Sequence, residues 1–76
     1  MEISLNRLCP GAKAVVLQID TDKALEKRLK DFGLVPGTPV RCTYRCPWGD
    51  VTALSFRGSV LALRSKDLAK IRARLL

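Results

Sequence analysis

Two periods divide the chain. Between Thr21 and Gly33 the apolar positions recur at helical spacing, and from Thr38 onward they recur at every second residue. In "TDKALEKRLKDFG", Leu25, Leu29 and Phe32 fall at i, i+4 and i+7. That spacing predicts one α-helix over about residues 22–32 with these three on its buried face. Lys23, Lys27 and Lys30 take the wet side. Thr21 or Asp22 can cap the N-terminus, because a side-chain oxygen accepts from the free N–H groups of the first turn. Gly33 follows the last apolar position, where a left-handed cap residue is expected.

The strand pattern starts earlier, with "AKAVVLQI" at residues 12–19, which is short and rich in β-branched residues. "CPG" before it is a turn, and Ile3 and Leu5 alternate with polar neighbours in a short leading strand. After Thr38, Val40, Cys42, Tyr44 and Cys46 are expected on one strand face and Arg41, Thr43 and Arg45 on the other. "PWGD" turns the chain. Thr52, Leu54 and Phe56 then point inward, with Ala53 and Ser55 outward. "RGS" turns it again, and Leu61 and Leu63 face inward while Val60, Ala62 and Arg64 face outward. "SKDLAK" contains a short helical turn near residues 66–69, and "IRARL" a last strand through Ile71 and Ala73. Both phenylalanines and Tyr44 are placed on inward faces. The expectation is a mainly β fold, a small β-barrel of five to six short strands with one inserted helix. Between helix and barrel, "GLVPG" supplies the bend: Pro36 fixes φ and Gly37 tolerates a positive φ, as a type II turn requires.

Length limits how much core this pattern can build. With 76 residues the chain is expected to be a single domain over 1–76, burying only about 60% of the surface its unfolded chain exposes. A hydrophobic fraction of 47% suffices to offset chain entropy, so disorder is not expected. No segment approaches the roughly 20 apolar residues of a membrane span. "MEISLNRLCPGAK" has no apolar core of a signal peptide, which points to a cytoplasmic protein.

Charge and chemistry change the picture in opposite directions. Fourteen Lys and Arg against seven Asp and Glu give +7, which favours an acidic partner: nucleic acid, an anionic leaflet or an acidic protein face. The chain contains no histidine, which removes the commonest general base and the commonest transition-metal ligand. There is no phosphate-binding glycine loop ending in Lys-Ser/Thr, and the acids are scattered, so no enzyme is expected. Cys9, Cys42 and Cys46 are an odd set in a short chain and read as reduced, buried thiols rather than a disulfide framework. Cys42 and Cys46 are roughly 13 Å apart along a regular strand, too far for one tetrahedral ion. The three are therefore only a secondary candidate set for metal. Arg41, Arg45, Arg57 and Arg64 form an outward basic set, and Trp48 in the "PWGD" turn is either a lid on the barrel end or an exposed anchor for a partner.

Taken in order, "LCPGAKAVV", the helix ending "RLKDFGLVPGTPV", "CPWGD", "FRG" and "LALR" resemble the FeoA family of bacterial ferrous iron uptake. The resemblance covers nearly the whole chain. It implies an SH3-like β-barrel and a non-enzymatic accessory, without a cofactor of its own, that regulates Fe(II) import through FeoB, a membrane transporter with a cytosolic GTP-binding domain. Contact with the membrane would come only through that partner. On this reading the helix, the Leu34–Gly37 connection and a basic flank face the transporter. Leu34, Val35 and Pro36 supply apolar contact, joined by Trp48, Arg57 and Arg64. The alternative for Leu34 and Val35 is that they cover the barrel end. No nucleic-acid partner is implied by the family, although the net charge keeps a nucleic-acid-binding small barrel as one rival reading and a cysteine-based metal-sensing module as another. Small barrels have open edges, so a homo-oligomer is compatible with the sequence.

Overall fold

The computed structural model describes residues 1–46 and 50–76. Trp48, with the rest of the predicted "PWG" turn, lies outside the described residues. Six strands form one antiparallel sheet: β1 (Glu2–Ser4), β2 (Lys13–Ile19), β3 (Pro39–Arg45), β4 (Val51–Phe56), β5 (Ser59–Arg64) and β6 (Ile71–Leu75), in the order β1-β6-β2-β3-β4-β5. Helix α1 spans Lys23–Phe32 and a short helix α2 spans Ser65–Leu68. The sheet curls around its core, and the domain measures only 28 × 25 × 23 Å. The two edge strands, β1 and β5, do not pair with each other. A 3-10 turn at Leu5–Arg7 continues from β1 and packs on α2, which packs on β5, so short helical turns close the gap.

The alternation foreseen for β4 to β6 places the core. Thr52, Leu54 and Phe56 are buried, as are Leu63, Ile71 and Ala73. Cross-strand rows such as Cys42–Leu54–Leu61 run inward. Leu5 is buried too, but from the 3-10 turn and not from a strand.

Helix α1 starts and stops where its capping chemistry predicts. The Leu25 N–H donates to Asp22 Oδ1 at 2.8 Å, so Asp22 and not Thr21 is the cap. Gly33 takes the left-handed conformation at φ 95°, and the Leu34 N–H donates to the Leu29 carbonyl at 2.8 Å while the Gly33 N–H reaches that of Lys30 at 2.9 Å. That pair of bonds is the Schellman arrangement, which folds the residue after the glycine back onto the helix. Leu34 and Leu29 are both fully buried as a result. The next residues form the expected turn: the Thr38 N–H donates to the Val35 carbonyl at 3.0 Å, with Gly37 at φ 94°. The buried Thr38 hydroxyl ties this turn to the helix end, donating to the Gly33 carbonyl at 3.1 Å and accepting from the Val35 N–H at 3.2 Å.

Two inward assignments are corrected. Tyr44 is 58% exposed, because a β-bulge between Cys42 and Tyr44 inserts one residue into β3 relative to β4. Cys42 stays opposite the inward Leu54, but Tyr44 comes opposite the outward Ala53, and Arg45 opposite the inward Thr52. Arg41 and Arg45 therefore do not share a face. Phe32 is 52% exposed, because the buried Leu29, with the partly buried Leu25, packs α1 on the core and Phe32 lies beyond that contact.

The expectation of buried thiols holds for Cys42 and fails for Cys9. Cys42 is fully buried, Cys9 is exposed and Cys46 is half-buried. Burial pushes the Cys42 thiol above its ordinary value of 9.0. A raised folded-state value means that the neutral thiol favours the fold below the ordinary value, and that this contribution is lost as pH rises through the folded one. Iodoacetamide at pH 8 should therefore label Cys9 in the native protein and Cys42 only in denaturant. Equal labelling of the two in the native state would contradict this packing.

Candidate functional site

Helix α1 carries different surfaces on its two flanks. On one, Lys23, Glu26, Lys27 and Lys30 face Ile19 at the end of β2 and the Leu34–Pro36 connection across an open groove of about 670 Å³. The helical spacing of Lys23, Lys27 and Lys30 brings the ammonium groups to one side, as their period predicts. Among the described residues the one ion pair is Arg72 with Glu2 at 3.7 Å, so Glu26 neutralises none of the three lysines by direct pairing. The Schellman cap and the turn that follows it hold Val35 and Pro36 at the rim, the first half-buried and the second exposed. The groove thus combines an apolar floor with a cationic wall, a surface suited to an acidic protein segment.

The residues expected to meet a partner do not form one surface. Val35 and Pro36 line the lysine groove. Leu34 does not serve as a contact residue, because the helix cap turns its side chain into the core, where it is 0% exposed. Arg57 opens the β4–β5 turn with φ 50°, followed by Gly58 at φ 78°, the positive pair that a tight type I′ hairpin needs. Its side chain lies across the end of α1, with Cδ only 3.2 Å from where a Cβ on Gly33 would stand. There its charge complements the partial negative charge of the helix C-terminus. Arg64 lies on the opposite flank of α1, beside Arg28 and Leu25.

Sequence reasoning named the lysines only as a solvated face. Their part in the groove follows from Ile19 and Pro36 being brought opposite them, which a helical period cannot show. The burial of Leu34 did have a local signal: a hydrophobe directly after a C-terminal glycine commonly folds back on the last helical turn. Among the described residues no three or more His, Cys, Asp or Glu side chains gather as a metal-binding group. No helix among them is long and apolar enough to cross a membrane.

The chain matches the FeoA domain over residues 3–75. It belongs to the FeoA family. Solved structures agree in fold across the whole length. A FeoA-like protein from Clostridium acetobutylicum is 31% identical, with a TM-score of 0.84 over 99% of this chain and 87% of that one. An iron uptake regulatory FeoA protein is 25% identical, with a TM-score of 0.85 over 100% of this chain and 99% of that one. The FeoA of Stenotrophomonas maltophilia, described as a prokaryotic SH3 domain protein and solved with zinc, is 24% identical, with a TM-score of 0.80 over 93% of this chain and 88% of that one. No curated protein matches the sequence. The architecture is accordingly the SH3-like barrel of the FeoA family, a family associated with ferrous iron transport.

Proposed function

We propose that this FeoA protein is a non-enzymatic, cytoplasmic accessory of ferrous iron uptake that binds a cytosolic region of a FeoB-like transporter and biases its conformation. The observation that carries the proposal is the groove beside α1, where Ile19, Val35 and Pro36 lie against Lys23, Lys27 and Lys30. An acidic segment of the transporter with one or two apolar side chains would satisfy both halves of that surface. Regulation then requires only that the segment be more accessible in one transporter state than in the other, since a ligand shifts an equilibrium by its difference in affinity.

The test is recovery of the isolated cytosolic part of FeoB by this protein, as wild type and as Pro36→Asp. Pro36 is exposed, so the variant should keep its fold while placing a carboxylate on the apolar rim. Wild type should recover the transporter fragment and Pro36→Asp should recover much less. Equal recovery would remove the groove from the interface, and none with wild type would defeat the accessory reading itself.

A further inference from the structure

The opposite flank of α1 faces the free edge of the sheet. Strand β5 pairs, among the described residues, only with β4 and ends the strand order. Among the described residues, apart from the Arg64 carbonyl that opens α2, the backbone of Ser59–Arg64 makes no hydrogen bond to anything but β4. Its outer edge therefore keeps a row of unpaired N–H and C=O groups. Such edges are normally blunted or covered, since they template pairing with another chain. Here α1 stands beside the edge without covering it and leaves an open slot of about 360 Å³. The four consecutive residues Leu61–Arg64 line one wall, so the strand presents its backbone edge as well as a side-chain face. Leu25, Leu29 and Phe32 line the other, which accounts for the half-exposed phenylalanine that the core does not use.

A strand edge facing a helix across an open slot with some apolar lining is the arrangement by which several small domains bind extended peptides. Main-chain hydrogen bonds supply affinity, and alternate side chains are read on either side. Charge selects the peptide. Arg28, Arg64 and Lys66 all line the slot. Its two acids, Asp22 and Asp67, are outnumbered by these three cations, and the Asp22 carboxylate is turned to the helix N-terminus as its cap. A second copy would bring the same cations and another +7, which disfavours pairing of β5 with itself.

We propose that the slot between β5 and α1 takes an extended peptide of a partner protein, alternating apolar with acidic side chains, as an additional strand on β5. This site is separate from the lysine groove and stands whether or not that groove binds the transporter.

The probe is an acetylated, amidated octapeptide alternating valine with glutamate and threonine, titrated into the full-length ¹⁵N-labelled protein. Saturable shifts should centre on the amides of Ser59–Arg64 and Leu25–Phe32. The same peptide N-methylated at alternate residues, which keeps its side chains but loses backbone donors, should bind at least about tenfold more weakly. Arg28 and Arg64 are exposed, so the double variant R28E/R64E should stay folded. It should lose about tenfold for the acidic peptide and gain affinity for one with lysine in place of glutamate. Four results would overturn the proposal: no saturable shift, equal binding of the N-methylated peptide, shifts centred on Ile19, Lys23 and Val35, or a dimer in which β5 amides are protected before any peptide is added.

Discussion

Leu34→Asp should leave the protein without a cooperative folded state. The side chain is 0% exposed and sits where the helix cap folds the chain back onto Leu29. An ionised carboxylate there would be buried without a partner, at an effective cost of several kcal/mol. Domains of this size have little reserve: total stabilities run about 5–15 kcal/mol, and a thin core puts a small domain at the lower end. Leu34→Ala should still fold but lose about 2–5 kcal/mol, or roughly 10–30 °C in melting temperature. Circular dichroism melts of the two variants check this. A sharp transition for Leu34→Asp within a few degrees of wild type would put Leu34 on the surface and refute the packing of the helix end. The variant is thus a probe of folding, and a lost interaction in Leu34→Asp would say nothing about where a partner binds.

Reversing the lysine face should have the largest effect on binding. Lys23→Glu, Lys27→Glu and Lys30→Glu together lower the net charge from +7 to +1, since each exchange removes two charges. All three side chains are exposed, so the fold should tolerate the change within about 0.5 kcal/mol per site. Affinity for the cytosolic part of FeoB should fall by about 10–100-fold at low salt. The wild-type affinity should itself weaken as ionic strength rises, and that dependence should flatten in the triple variant, because the screened charges are gone. Fluorescence anisotropy across a salt series reads both. An unchanged affinity with an unchanged salt slope would show that the cationic wall of the groove takes no part in the contact.

Where the sequence reading succeeded and where it failed follows from how far each signal reaches. Asp22 and Gly33 bound α1 as read, because capping depends on a few neighbouring residues and their own backbone angles. Pro36 and Gly37 make their turn for the same reason. Thr52, Leu54 and Phe56 face inward because β4 is regular and paired on both sides. Tyr44 escaped the reading because a bulge is a mismatch between two strands, and one strand's alternation holds no trace of its partner's register. Phe32 escaped it because an apolar residue on the correct helical face is buried only if something lies opposite, and opposite Phe32 the slot beside β5 is open.

The candidate sites divide along the same line. Composition alone supports only expectations, an acidic partner and no catalysis, since a chain with +7 and no histidine has the charge for one and lacks the usual groups for the other. The periods determined one helix, a run of short strands and the turns between them, because each depends on contacts a few residues apart. Only the tertiary structure decided that Ile19 and Pro36 stand beside three lysines, that Leu34 faces inward and that β5 ends the sheet across from α1. Those facts join residues distant in the chain, and no local pattern encodes what will come to lie across a groove.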